Sequence, residues 1–440
     1  MVRIFFAIII IFAVVFISYC MGNKKADNLA IYLIFALIGI RTSFTVIPVN
    51  FEGTHYLQST WIIYLTDFPI IYLITRWIRK KRFNEFHSKT FKFVLMYFFV
   101  AVLSILVATN KYTSFWGAMN LIKFVAIFII FTDYISIREN RYCIINGIMT
   151  AVIFQAVVAI LQRISGGTIG LSMLGEVDTA FRTRIVNGEI SSGVAGTFAH
   201  SSDLAVLMLF GLTILFFNAK YINKLKLYIF LGIGLVVLLL AESRTMLALT
   251  VIVVIIGYLK LIKKKVRLWE FFMIIIVPMA ALLFILIYID QIYSMFIMSD
   301  AIDQVFNRLN QWLIGWNEIV KRPFLGYGIN NYVDYMQLTY PGLSDTFYYS
   351  NPIHNIYLQI WFDVGIIGLI CFILVIISSI ISLSKNKIKD EMCIAGFVFV
   401  IVALVYGIDG WGMLKEPSTN MLWISLGLMN NQLIRFAKKR

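Results

Sequence analysis

The chain is a succession of apolar runs, each near the ~20 residues that carry an α-helix across a bilayer, separated by short polar loops. About thirteen runs can be traced, over residues 4–21, 28–49, 59–78, 91–109, 113–135, 143–164, 194–217, 225–241, 245–261, 270–289, 355–383, 392–408 and 418–436. A soluble domain cannot hide a chain that is 60% hydrophobic and 14% charged with mean hydropathy +0.85, whereas a bundle of spans can. The expected fold is therefore an all-α polytopic transmembrane bundle of about 12–13 spans, with a long extracytoplasmic loop containing short helices. Its expected parts are residues 1–290 (ten spans, with an outer loop at 165–193), the extracytoplasmic loop 291–354 and the C-terminal spans 355–440. Residues 4–21 have the apolarity of a signal peptide, but no small-residue cleavage site follows, and Lys24 and Lys25 anchor their end instead. Cys20, Cys143, Cys371 and Cys393 fall in apolar runs, at spacings that suggest neither a disulfide framework nor a metal site, and are expected as core thiols.

A net charge of +15 would point a soluble protein toward nucleic acid. Here the surplus lies in alternate short loops: Lys24/Lys25, the cluster from Arg76 to Lys92, Arg138/Arg141, Lys220 to Lys226, Lys260 to Arg267, Lys385 to Lys389, and Lys438 to Arg440. About 26 of the 38 basic residues fall on that side, which the positive-inside rule makes cytoplasmic, and no nucleic-acid partner is implied. Residues 165–193 and 290–352 then lie outside. The outer loops use about seven Arg to three Lys, the cytoplasmic ones about eight to eighteen. Topology needs only charge, so an outer preference for Arg points to a bound anion, which a guanidinium grips with a planar fork of donors.

Four segments converge on the outer face. The first is Arg182-Thr183-Arg184, ahead of Gly196-Thr197-Phe198-Ala199-His200. The second is Glu242-Ser243-Arg244, in a tight turn between two runs. The third is an amphipathic helix over 303–322, where Arg308, Trp312 and Trp316 recur every four residues on one face. It ends at Arg322-Pro323, ahead of the turn Phe324-Leu325-Gly326-Tyr327-Gly328. The fourth is Asn351-Pro352-Ile353-His354-Asn355-Ile356-Tyr357-Leu358. Pro352 breaks the chain, so His354 stands in or just before the first turn of a long helix. The positive end of the helix dipole, with Arg nearby, disfavours imidazolium and keeps that ring able to take a proton. The same placement would also serve a capping residue. Arg244 is equally suited to bind an anion or to reach lipid phosphates, Arg182 and Arg184 to bind or to coat a solvated loop, and Trp312 and Trp316 to anchor at the interface. His200, about two turns into its run, reads as a core residue. Arg41, Asp67, Lys123, Asp203 and Asp363 all fall about eight to ten residues deep, in one layer, where two cations and three carboxylates can satisfy one another or line a cavity.

These ordered motifs over residues 182–368 resemble the O-antigen polymerase and O-antigen ligase superfamily of bacterial envelope polysaccharide glycosyltransferases. They are an Arg, then Gly196-Thr197-Phe198, then Ser243-Arg244, then Arg308 with Trp312, then Pro323 to Gly328, then His354-Asn355-x-Tyr357-Leu358. The resemblance implies an enzyme of the bacterial cytoplasmic (inner) membrane with its active site on the extracytoplasmic face. Its partners would be an undecaprenyl-pyrophosphate-linked glycan, an acceptor glycan, membrane lipids and a candidate chain-length regulator, with no cofactor and no metal. Carried over by position, His354 is the catalytic residue, Arg184 and Arg244 hold pyrophosphate, Arg308 holds glycan or acceptor, and Arg182 and Tyr357 complete the binding set. The family often has Asn-Pro-Asn after Gly-Thr-Phe. This chain has Ala199-His200-Ser201-Ser202, so no role is carried over there.

A repeat-unit polymerase is the leading expectation, and a ligase moving finished glycan to lipid A–core or another acceptor is the nearest alternative. A transporter or lipid flippase would use the buried charges, but such proteins pair interrupted helices at the midplane, and here Gly and Pro gather in the outer loops. A membrane scaffold without catalysis would leave the outer Arg preference unexplained.

Overall fold

The computed structural model describes residues 2–47, 55–80, 88–178, 182–186, 189–262, 299–343, 346–385 and 390–431. Within them the chain is helical apart from two small hairpins. The first half contains α1 (Val2–Met21), α2 (Lys24–Ala36), α3 (Asp67–Arg79), α4 (Lys89–Ser104), α5 (Lys111–Ile129), α6 (Ile137–Ser165), α7 (Ser201–Phe217), α8 (Lys224–Leu240) and α9 (Arg244–Ile262). The second contains α10 (Ser299–Ile319), α11 (Tyr332–Thr339), α12 (Phe347–Ser350), α13 (Ile356–Lys385), α14 (Glu391–Asp409) and α15 (Ser418–Met429). Strand β1 (Ser43–Thr45) pairs with β2 (Ile62–Tyr64), and β3 (Arg182–Val186) with β4 (Glu189–Gly193), both antiparallel.

The expected all-α multi-pass bundle is found. Among the described residues six segments are long and apolar enough to cross a membrane: Arg3–Cys20, Lys89–Val107, Lys111–Tyr134, Ile137–Ser165, Ile356–Lys385 and Glu391–Asp409. The expected spans 28–49 and 59–78 are cut short. Their helices stop at Ala36 and start at Asp67, and the β1–β2 hairpin takes up residues between them. The run Ser43-Phe44-Thr45 and the run Ile62-Ile63-Tyr64 are apolar enough to pass for helix, yet rich in the β-branched and aromatic residues that favour strands. The expected span 270–289 lies outside the described residues. Cys20 is exposed on α1, while Cys371 and Cys393 are buried as expected, and all four thiols are free.

The helices start where polar side chains cap them. Asn23, Asn110, Asn223 and Asp390 each accept hydrogen bonds from backbone N–H groups of the first turn of α2, α5, α8 and α14. Packed at the centre is α15, buried at every residue and in contact with α5, α7, α13 and α14. Its following residue pair does satisfaction work in an apolar setting. After α5 the helix widens into a π-turn over Ile130–Tyr134, which leaves carbonyls without helical partners. The Asn431 amide donates to Phe131 O within that turn and to Ile135 O just after it. By contrast α1 is almost wholly exposed, with Phe5, Phe12 and Phe16 outward, as fits a helix facing lipid.

Several of the basic loop ends expected on one side are joined by ion pairs. At one end of the bundle Lys24 meets Glu139, Arg76 meets Asp27, the buried Arg141 meets Asp390 at 2.5 Å, and Lys220 meets Glu391. These are the ends joined by the Lys-rich loops.

Chain 320–368 explains how the long loop is seated there. Backbone N–H groups of Tyr327 and Gly328 donate to the carbonyls of Phe362 and Asp363, and Ile366 N–H donates to Pro323 O. Thus α13 is interrupted: Gly365 has φ 70°, ψ 179°, and the turn after Pro323 fills the break. A Cβ at Gly365 would collide with the Phe324 carbonyl, and one at Gly326 (φ 68°) with the carbonyls of Phe362 and Asp363. Tyr327, Tyr332 and Phe362 pack behind this junction as a separate apolar cluster with Ile319 and Ile353.

Candidate active site

His354 lies two residues before α13, and every neighbouring backbone group is tied. Asn355 caps α13 by accepting from Tyr357 N–H and Leu358 N–H, and its amide donates to Ile408 O of α14. The Gln359 side-chain oxygen accepts from Ile353 N–H at 2.7 Å, and Trp312 Nε1–H donates to His354 O at 3.0 Å. The fully buried Gln311, on α10, takes the rest. Its amide nitrogen lies 2.9 Å from Asn351 O and 3.1 Å from Pro352 O, and its oxygen lies 2.9 Å from His354 N and 2.8 Å from His354 Nδ1. The imidazole is half-buried, with the Trp411 ring edge-on at 6.3 Å.

The amphipathic helix expected at 303–322 is α10, shifted a turn toward the N-terminus. Its Arg308 forms an ion pair with Asp409 at the end of α14. Trp312 turns inward to His354, which assigns it more than an interfacial anchor's part, whereas Trp316 is half-exposed and edge-on to Trp361 at 5.4 Å. Phe306, Leu309, Leu313 and Trp316 leave an exposed apolar stripe at spacings of three and four along α10. Tyr357 directs its hydroxyl to Leu404 O of α14, where it braces α13 against its neighbour.

Arg244 is the first residue of α9 and is half-buried. The turn before it is held in an unusual shape: Glu242 has φ 52°, a left-handed conformation that few non-glycine residues adopt. Val194 N–H donates to Leu240 O, and a Cβ on Gly193 would stand 2.9 Å from Ala241 O, so the foot of the β3–β4 hairpin straps this turn. Arg182 and Arg184 lie on β3, at register positions facing Gly193 and Ser191. The expected irregular stretch 165–193 therefore contains an ordered hairpin whose base abuts the Arg244 turn.

The expected span beginning at Val194 needs correction. Residues 194–200 are irregular and α7 starts at Ser201, so His200 is an exposed residue at the helix N-cap and not a core residue. Gly196 and Thr197 are buried instead, and their N–H groups donate to the side chains of Gln162 and Gln155 of α6. A polar Gly-Thr pair in an apolar sequence gives no sign of such partners.

The buried charge layer is real but differently wired. Lys123 is 3.0 Å from Asp67 and also contacts Glu416, and Asp203 is 3.3 Å from Lys415. Asp363 accepts from the Tyr56 hydroxyl and from Asn330 N–H, and among the described residues it forms no ion pair. Lys415 and Glu416 come from the turn between α14 and α15. Burial raises the Glu416 carboxyl above its ordinary range; Lys123 and Arg41 oppose that and Asp67 adds to it. This turn also carries Trp411, whose ring lies 5.4 Å from Lys415 Nζ. Imidazole, indole, Lys415 and Asp203 thus form one chain of contacts from His354 to the start of α7. Gln311, Trp411 and Lys415 carry no signal in the sequence, because each is an ordinary polar or aromatic residue until the fold links it to His354, and Glu416 none until it meets Lys123.

Among the described residues no group of three or more His, Cys, Asp or Glu side chains is placed to hold a metal ion. Helix α10 thus carries both Arg308 and the side chains that hold His354, whereas the turn before Arg244 is held by the foot of the β3–β4 hairpin.

Residues 227–373 match a family model described as O-antigen ligase, a stretch that contains Arg244, Arg308, Gln311 and His354 and supports the polymerase and ligase superfamily. Comparison with curated proteins finds no match.

Proposed function

We propose that this chain, similar to the O-antigen ligases over residues 227–373, moves glycan from an undecaprenyl-pyrophosphate carrier onto an acceptor glycan at the extracytoplasmic face of the bacterial inner membrane. The observation that carries this reading is the joining of α10 to the lead into α13, which sets Arg308, Trp312 and His354 together within the matched region.

In this mechanism an acceptor hydroxyl attacks the anomeric carbon of the donor sugar. The His354 imidazole takes the hydroxyl proton as the new C–O bond forms, and the anomeric bond to the pyrophosphate oxygen breaks. Undecaprenyl pyrophosphate leaves with its negative charge. Arg184 and Arg244, with Arg182 beside them, hold that group, and their charge and fork of donors serve where other enzymes use a metal ion. Arg308 has donors to spare beyond Asp409 and contacts glycan. Tyr357 acts through the wall behind the site.

The specific activity is polymerisation, in which the growing chain moves onto the next lipid-linked unit, with length set by a separate regulator. The description of the matched family favours a second reading, transfer of finished glycan to lipid A–core or another acceptor. Glycan profiling after loss of the gene separates the two. Single units on the final acceptor mark a polymerase, and lipid-linked polymer with no acceptor-bound glycan marks a ligase. An unchanged profile contradicts both.

A further inference from the structure

We infer that Gln311 is a positioning residue that selects the protonation form of His354, placing the ring proton on Nδ1 and the basic lone pair on Nε2; the inference rests on the reading of His354 as the base. The amide cannot be turned the other way. Its nitrogen faces two carbonyl oxygens, of Asn351 and Pro352, which only a donor can satisfy. Its oxygen faces the His354 backbone N–H, which only an acceptor can satisfy. A flipped amide would set oxygen against oxygen and N–H against N–H in a fully buried place. The same oxygen lies 2.8 Å from Nδ1, so Nδ1 must carry a hydrogen and donate it.

This arrangement has a consequence for proton transfer. Nδ1–H donates to Gln311 in neutral imidazole and in imidazolium alike, so uptake of a proton at Nε2 leaves the contact in place. The base is oriented before and after it acts, and no group need reorganise. Because the partner is a neutral amide, it orients the ring without the strong stabilisation of imidazolium that a carboxylate would give.

The sequence contains four histidines, His55, His87, His200 and His354, so a spectroscopic test is tractable. Full-length protein with 15N-labelled histidine, reconstituted in liposomes, is compared with His354→Gln to assign the ring of His354 by solid-state NMR. The expected neutral-form spectrum has a protonated-type Nδ1 and a pyridine-type Nε2. Gln311→Leu should bring the Nε2–H form into that spectrum and lower kcat at least ~10-fold with KM little changed, within the ~10²–10⁴ that a general base contributes. Gln311→Glu should keep the Nδ1–H form and move the acidic limb of the pH–rate profile to higher pH, since a carboxylate favours the charged ring. A wild-type spectrum showing Nε2–H overturns the inference, and so does a Gln311→Leu protein with unchanged spectrum and pH profile. Should the Gln311 variants fail to fold, the wild-type spectrum decides alone. The spectrum needs no glycan transfer, so continued transfer by His354→Gln would remove the catalytic reading while leaving the tautomer assignment intact.

Discussion

Arg308 on α10 and Asp409 at the end of α14 form an ion pair, so the guanidinium proposed to contact glycan also ties α10 to the bundle. The pair is partly open to solvent, with side chains 23% and 42% exposed, and such pairs contribute on the order of 0.2–1 kcal/mol. Asp409→Asn should therefore shift thermal unfolding by less than about 1 kcal/mol. Arg308→Ala, which in the proposed mechanism also removes charged hydrogen bonds to glycan, should lower glycan transfer by roughly 10–100-fold. Rates from the two purified variants check this; equal losses would reduce Arg308 to a tether.

Arg244 opens α9 at a left-handed turn, and a Lys there would keep the charge but lose the planar fork. Arg244→Lys should cut polymer yield at least ~10-fold, read as glycan length on a gel of cell-envelope extracts. Wild-type lengths would mean that Arg244 reaches lipid phosphate and not the carrier.

Lys123 stands between Asp67 and Glu416, largely buried. Removing one member of a buried set leaves uncompensated charge, so Lys123→Met should cost about 3–5 kcal/mol. The double variant Lys123→Met/Glu416→Gln should recover part of that loss. Thermal unfolding of purified protein gives both values, and additive losses would show that the contacts are not coupled.

How much of this was readable beforehand follows from which residues declare themselves. Spans with continuous apolar runs, such as α4, α6 and α14, were visible because nothing but a helix satisfies their backbone in lipid. The β1–β2 hairpin and the loop at 194–200 were read as span because apolarity alone does not distinguish helix from buried strand or loop. His354 and Arg308 stood out through a proline break and a helical period. Gln311 did not, since its meaning depends on two carbonyls forty residues away.

Glu318 supplies a pH test of the outer loop. Burial works against its charge, yet Lys321 and the hydroxyls of Tyr335 and Tyr340 bind it and hold its carboxyl below the ordinary range. A lowered folded pKa stabilises above the unfolded value of about 4.3 and is lost as pH falls through the folded value. Glu318→Gln should therefore destabilise by on the order of 1–3 kcal/mol near pH 7, with the difference from wild type shrinking in acid. Unfolding curves at several pH values check the sign; a difference that grows in acid would refute it.

Gly365 breaks α13 where the turn after Pro323 docks. Gly365→Ala meets both a positive φ and the Phe324 carbonyl, and should cost about 2 kcal/mol or more. Faster proteolysis within 320–328 in liposomes would report the released turn, and an unchanged digest would argue that the junction tolerates a side chain.

The central claim is that His354 takes the acceptor's proton as glycan leaves its lipid pyrophosphate. Purified protein in liposomes, given undecaprenyl-pyrophosphate-linked repeat units, should release undecaprenyl pyrophosphate in step with glycan transfer. His354→Ala should bind the donor and release at least ~10²-fold more slowly. Release by His354→Ala at the wild-type rate would contradict the account.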